Sequence, residues 1–308
     1  MISLTFYILL HWLIVLAGAP LFLGVIPRVK AVISGRRGPS VFQPYYDLAR
    51  LFQKKTVYSR TTTWLFRAAP IVALASVLMV SLVVPFCVFK APIQFTGDIL
   101  LVAYLLALAR FFMIIAALDT GYSMEGMGAS REAFFSCLSE LTLFMNFITL
   151  ALLAHNISLS RMIGADIPVS WQMAGPALLM AAGSLFVVLL AENCRLPVDD
   201  PDTHLELTMI HEVMILEHGG VDLAYMHYAA GIKMFIFAAI LVPILLPWQT
   251  GNVLQNWAIF CGGMMGLALL VGVVESTMAR FRLNRVKHFL LISFALAFFG
   301  FIVALWRI

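Results

Sequence analysis

The sequence predicts an all-α integral membrane protein, with eight transmembrane helices and two long cytoplasmic loops. Three observations predict it. Hydrophobic residues make up 62% of the chain and charged residues 12%, with a mean hydropathy of +0.96. Eight stretches approach the roughly 20 mostly apolar residues needed to cross a bilayer. The charges gather in the segments between those stretches. Backbone in lipid must satisfy its own hydrogen bonds, so the stretches read as helices of a single polytopic domain over 1–308.

The first span, 3–27, is too long and too weakly basic at its start for a cleaved signal peptide. Loop 28–67 follows, with nine basic residues from Arg28 to Arg67 against one acid, Asp47. Gly35 to Ser40 has the Gly and Pro content of a turn. After it, Tyr45, Leu48 and Phe52 recur at helical intervals within 43–52. That spacing predicts a short amphipathic helix at the membrane surface, either anchoring to headgroups or docking a cytoplasmic subunit.

Spans at 68–89, 98–118, 132–154 and 173–193 come next. Loop 194–226 then holds Asp199, Asp200, Asp202, Glu206, Glu212, Glu217 and Asp222, seven of the 16 carboxylates. Residues 199–202 suit a helix start, acids being favourable at its positive end, and the loop is predicted mostly helical after Pro201. His204, His211 and His218 recur every seven residues, near one helix face. Seven residues is about 10 Å along a helix, too far for one metal site. A polar face against water or a partner is the expectation. Spans 227–247, 253–275 and 288–306 complete the chain, with Arg280, Arg282, Arg285 and Lys287 between the last two.

Fifteen of the 20 basic residues fall in loops 28–67, 119–131, 194–226 and 280–287. The positive-inside rule makes these loops cytoplasmic and puts both termini on the outer side. The net charge of +4 is small, and no nucleic-acid partner is expected. Cys87, Cys137, Cys194 and Cys261 are scattered, with no C-x-x-C, Walker loop or dinucleotide fingerprint. No metal or cofactor site is expected in this chain.

Ionisable residues within spans cost at least ~2.5–3.5 kcal/mol near the centre. Arg110 and Glu140 each lie eight residues from a cytoplasmic helix end, roughly 12 Å deep. Lys233 is six residues into its span, and Glu192 and Glu275 lie near cytoplasmic ends. Arg110 and Glu140 could form a structural ion pair, while Glu192 and Glu275 could snorkel to water. The functional alternative is a polar track ending at the acidic loop, able to pass protons where burial and neighbours move pKa values.

Several separated motifs resemble one family. They are Gly35-Arg36-Arg37-Gly38-Pro39 with Gln43-Pro44 and Asp47; Gly128-Ala129-Ser130-Arg131 with Glu140 nine residues on; Ala191 to Asp199; and Arg280-Phe281-Arg282. Their order resembles the H-type membrane subunit of respiratory complex I (NADH dehydrogenase subunit 1). Ala109 to Phe112, Leu118 to Gly121, Gly128 to Ala133, Glu275 to Arg280 and Lys233 look nearest to the formate hydrogenlyase and group 4 energy-converting nickel–iron hydrogenase branch.

The resemblance implies a non-catalytic coupling subunit in a prokaryotic plasma (inner) membrane. Its partners would be a NiFe-hydrogenase-like large subunit, a small iron–sulfur subunit, a ferredoxin-like iron–sulfur subunit and antiporter-like membrane subunits. The NiFe centre and iron–sulfur clusters would sit in those partners. Glu140, Glu192, Asp199, Asp202, Glu206, Arg110 and Lys233 would form the proton path. Arg36, Arg37, Gln43, Asp47, Arg131, Arg195, Arg280 and Arg282 would meet partner subunits. A quinone-site subunit of a complex I-type enzyme is the alternative. A stand-alone transporter would show an inverted repeat, and none is found.

Overall fold

The computed structural model describes residues 2–86, 90–164, 167–199, 209–248 and 252–307. Every regular element among them is helical: α1 (Ile2–Ile33), α2 (Gln43–Phe52), α3 (Trp64–Val83), α4 (Asp98–Asp119), α5 (Ser123–Ala154), α6 (Leu159–Met162), α7 (Ile167–Glu192), α8 (His211–Met214), α9 (Gly220–Leu245), α10 (Val253–Thr277) and α11 (Leu283–Arg307). Eight of these are long and apolar enough to cross a membrane. The chain is a multi-pass membrane protein, and α2 falls where the amphipathic spacing puts it.

Most spanning helices run beyond their hydropathic windows at the end bearing the basic loops, hereafter the basic end. The fourth starts at Ser123 rather than 132, the sixth at Gly220 rather than 227, and the last at Leu283 rather than 288. A hydropathy window stops at the first charges, but a helix continues while its backbone bonds are kept. The extra turns of α5 are covered by protein: Gly128 lies against Val213 and the Ile210 carbonyl. Glu140 is therefore 17 residues from the start of its helix, about 26 Å at 1.5 Å per residue, and near the middle of α5.

The most apolar window of α9 is 72% buried against 28% for α11, so α9 is the central post. It touches α1, α3, α7 and α10, while α11 packs against α5 and α7, and α3 against α4. The α5–α7 seam is polar. Asn146 donates to Ser184 at 2.5 Å and to the Thr142 carbonyl at 2.9 Å, and Ser293 donates to the Ser184 carbonyl at 3.1 Å. Small hydroxyl residues let helices approach and bond where lipid offers no hydrophobic drive. In α7, Ala174 leaves helical geometry two residues before Pro176, whose ring disfavours a helical turn behind it.

The loops of the basic end are clamped together. The Thr63 amide and hydroxyl donate to Asp119 at 2.6 and 2.9 Å, the Glu217 amide to Glu125 at 3.2 Å, and the Phe281 amide to the Pro197 carbonyl at 2.9 Å. Lys30 and Arg195 both pair with the buried Glu275, at 3.2 and 3.5 Å. Glu275 is thus held by cations and does not snorkel.

Two glycines permit close approaches of backbone to backbone. A Cβ on Gly24 of α1 would lie 1.9 Å from the Val41 carbonyl. Gly220 opens α9 at φ +57, and its Cβ would meet the Lys55 carbonyl at 2.7 Å. Gly220→Ala adds left-handed strain to that clash. It is predicted to destabilise the fold by more than ~1 kcal/mol, read as a lowered thermal midpoint in detergent.

Candidate site: a buried charge cluster beneath the basic end

Four spanning helices each bring an ionisable side chain to one point. Arg110 of α4 donates from one guanidinium nitrogen to Glu140 of α5 at 2.8 Å, and from the other to Glu192 at the end of α7 at 3.1 Å. Lys233 of α9 reaches the Glu192 carboxylate at 2.8 Å and its backbone carbonyl at 2.6 Å. The Ser139 hydroxyl also donates to Glu192. The Glu192 side chain is 2% exposed, so it faces inward with two cations and does not snorkel. Leaving one charge of such a group without its partner costs about 3–5 kcal/mol, which is why the members come as a set.

Glu132 of α5, also buried, stands beside this group and accepts from the Cys194 thiol at 3.7 Å. A cavity of about 80 Å³ is lined by Arg110, Glu132, Glu192, Cys194, His211 and Lys233. A single water needs roughly 10–15 Å³ by this kind of measure, so several fit. A larger cavity of about 380 Å³ opens between α1, α2 and α9, with Asp47, Asp199, Glu212 and His227 on its walls. Asn193, Cys194 and His211 line both spaces. They form the partition between the outer cavity and the charge cluster.

The histidines are not one polar face. Helix α8 stops at Met214 and α9 begins at Gly220, so His211 opens α8 while His218 lies in the turn between the two helices. Both are enclosed. Nε2 of His211 and both ring nitrogens of His218 are buried and find no hydrogen-bond partner among the described residues. His218 lies flat on Phe66, with ring centroids 3.7 Å apart. Burial pushes both imidazoles down to about 4, and Lys233 adds to the effect at His211. Burial also drives the Cys194 thiol up, so it stays protonated.

Asp199 serves as a clasp. It accepts from the backbone amides of Ile210 and His211 at 2.9 and 3.4 Å and pairs with Arg280 at 2.5 Å. Asp202, Glu206 and His204 lie outside the described residues; of the stretch expected to be helical after Pro201, residues 209–226 are described, with α8 over four residues, a turn, and α9 from Gly220. Among the residues expected to meet partners, Arg36, Arg37, Asp47 and Arg282 are exposed. Gln43 donates to Asp47 at 2.9 Å. Arg131, Arg195 and Arg280 have partners within the chain, namely the Met209 carbonyl, Glu275 and Asp199.

Glu132, Ser139, Cys194 and His211 are the members that sequence reasoning missed. Glu132 sits inside the quoted motif Gly128 to Ala133, at the boundary of a hydropathic window. It is the first residue of the expected span, eight residues from Glu140 on the same helix. Among the described residues, no group of three or more His, Cys, Asp or Glu could hold a metal ion.

The family model described as NADH dehydrogenase matches residues 5–305. The chain belongs to the NADH dehydrogenase family. Within this NADH dehydrogenase family, two relatives come from Escherichia coli (strain K12). Hydrogenase-4 component C is 29% identical, over 96% of this chain and 94% of its own. Formate hydrogenlyase subunit 4 is 28% identical, over 96% and 97%. The H-type membrane component of the NADH-quinone oxidoreductase of Anaplasma phagocytophilum (strain HZ) is 26% identical, over 85% and 83%. The fold matches a chain of the membrane-bound sulfane sulfur reductase, an archaeal respiratory membrane complex, with a TM-score of 0.84 at 22% identity, covering 98% of this chain and 99% of that one.

Two outcomes follow for stability. Lys233→Met is expected to cost about 3–5 kcal/mol, and Lys233→Met with Glu192→Gln less than the sum of the two singles, in a double-mutant cycle of detergent unfolding. For pH, the folded histidines bind protons near 4 while unfolded ones bind near 6.5. Between those values the unfolded state holds more protons, so stability falls as pH drops from about 6.5 to about 4. The double variant His211→Phe, His218→Phe is expected to flatten that slope in thermal unfolding across the same range.

Proposed function

We propose that this chain is the membrane-anchoring and energy-coupling subunit of a nickel–iron hydrogenase or formate hydrogenlyase-like complex. It would link redox chemistry in a cytoplasmic arm to movement of protons or sodium ions across a prokaryotic inner membrane. The observation that carries the reading is the chain of ionisable groups from the outer cavity, past Cys194 and His211, to Glu132, Glu192, Lys233, Arg110 and Glu140. Near-full-length similarity to hydrogenase-4 component C and formate hydrogenlyase subunit 4 supports the choice of complex.

Protons would enter at the cytoplasmic basic end, with Asp199, Asp202 and Glu206 near the mouth, and both termini would face outward. His211 is suited to the partition because a neutral imidazole takes a proton on one nitrogen and releases one from the other. Glu132 and Glu192 would receive charge within the small cavity. Arg110 and Lys233 would act as fixed cations whose field sets how readily those carboxylates change state. Redox events in the arm would bias this equilibrium through the clamped loops, as an interaction energy between separate sites. The arm would supply the NiFe large subunit and the iron–sulfur subunits, seated on the exposed Arg36, Arg37, Asp47 and Arg282. The eight spans would behave as one polytopic domain.

A second reading is a quinone-site subunit, favoured by the outer cavity. Its volume lies in the 300–1,000 Å³ range common for small-molecule sites. Nickel in the purified complex supports the hydrogenase reading, and its absence with quinone-dependent turnover overturns it. In the assembled complex, Glu192→Gln and His211→Asn are each expected to leave hydrogen or formate turnover largely intact in detergent. In sealed vesicles they are expected to reduce ion translocation per electron at least tenfold, the effect of about 1.4 kcal/mol on a transfer step. Unchanged translocation would remove these residues from the path.

A further inference from the structure

The outward face of α4 and α5 carries a feature that lipid cannot satisfy. Arg110 and Glu140 pair at 2.8 Å, so they share one depth. Arg110 is nine residues from the end of the 22-residue α4, about 14 Å from one terminus and 18 Å from the other. The pair therefore lies close to the middle of a ~30 Å hydrocarbon core. The Arg110 side chain is 9% exposed, but that of Glu140 is 34% exposed. The Glu140 carboxylate opens into an elongated groove of about 650 Å³, walled by Tyr104, Leu108, Phe111 and Ile114 of α4 and by Ala133 and Cys137 of α5. Its lining on α4 runs from Leu101 to Ile114, about 20 Å along the helix axis.

The described residues give Glu140 one hydrogen bond, through Oε1. Acyl chains would leave the other oxygen without a donor, at a cost of several kcal/mol for a polar group in hydrocarbon. Other outward faces differ. Leu269, Leu270 and Val273 on α10, and Ile292, Phe299 and Ile302 on α11, are apolar and suit lipid. Among the described residues, no other Asp, Glu, Lys, Arg or His side chain faces outward at this depth.

We propose that the α4–α5 groove seats a transmembrane helix of another membrane subunit, which carries a hydrogen-bond donor at mid-bilayer depth opposite Glu140. The inference rests on the reading that the chain works inside a multi-subunit membrane complex. Length and shape fit a helix, and Tyr104 and Phe111, 68% and 57% exposed, supply the apolar contact area on either side. Charge argues against a second copy of this chain in the same groove. A two-fold pairing would oppose two Glu140 carboxylates in one apolar groove.

The test uses the whole complex purified from membranes, with the photo-reactive residue p-benzoylphenylalanine replacing Tyr104 or, separately, Leu108. After illumination, cross-linked peptides are sequenced by mass spectrometry. The expected product joins both positions to one transmembrane segment of a co-purified subunit, with Lys, Arg, Asn, Gln, Ser or Thr near its centre. Glu140→Leu is expected to lose most of that cross-link, and Glu140→Gln, which keeps an acceptor, to retain it. Cross-links to lipid alone, to this same chain, or to a segment without a central donor overturn the proposal while the multi-subunit reading stands. A chain that purifies with no other subunit overturns both.

Discussion

Everything at the basic end depends on keeping the Glu192 carboxylate charged inside a membrane protein. Two cations and a hydroxyl are devoted to it. Each comes from a different element: Arg110 from α4, Lys233 from α9 and Ser139 from α5. Because a lone charge there would cost far more than any single bond returns, the four helices have to meet in one register. The cluster thus fixes the bundle as much as the bundle fixes the cluster. Lys233 also bonds the Glu192 carbonyl, satisfying a terminal group of α7 where the chain leaves the helix.

Above that point the loops behave as one lid. Asp199 grips the amides before α8 and the guanidinium of Arg280, while Glu275 collects Lys30 and Arg195. Basic residues that sequence reasoning assigned wholesale to partner contacts are thereby split into two groups. One set holds the lid shut against the bundle. The other, at Arg36, Arg37 and Arg282, remains exposed for anionic or polar contacts. Composition alone cannot separate these sets, because both contain arginines in short loops.

The spans were legible because twenty apolar residues in a row have few other uses, and α2 because its Tyr45, Leu48 and Phe52 spacing is helical. Arg110, Glu140, Glu192 and Lys233 were legible because ionisable residues stand out in apolar runs. Their mutual contacts were not, since helix rotation and pairing are set by three-dimensional packing. Glu132 was missed because, as the first residue of its span, it reads as the polar edge of a helix rather than as part of its interior. His211 and His218 were misread because a seven-residue period assumes an unbroken helix, and α8 ends at Met214. The burial of the His218 ring depends on a neighbour as remote as Phe66.

The 32 residues of α5 have a mechanical meaning. Glu125, Glu132 and Glu140 sit on one continuous rod, separated by about 10 and 12 Å along its axis. A regular helix barely stretches, so those three stations keep constant spacing whatever the attached arm does. No two of them can hand a proton directly to each other across such gaps. A gate on the proposed path would therefore lie beside the rod: at the Cys194–His211 partition, in the small cavity, or in the reach of Arg110. The acids mark distance, and timing belongs to their neighbours.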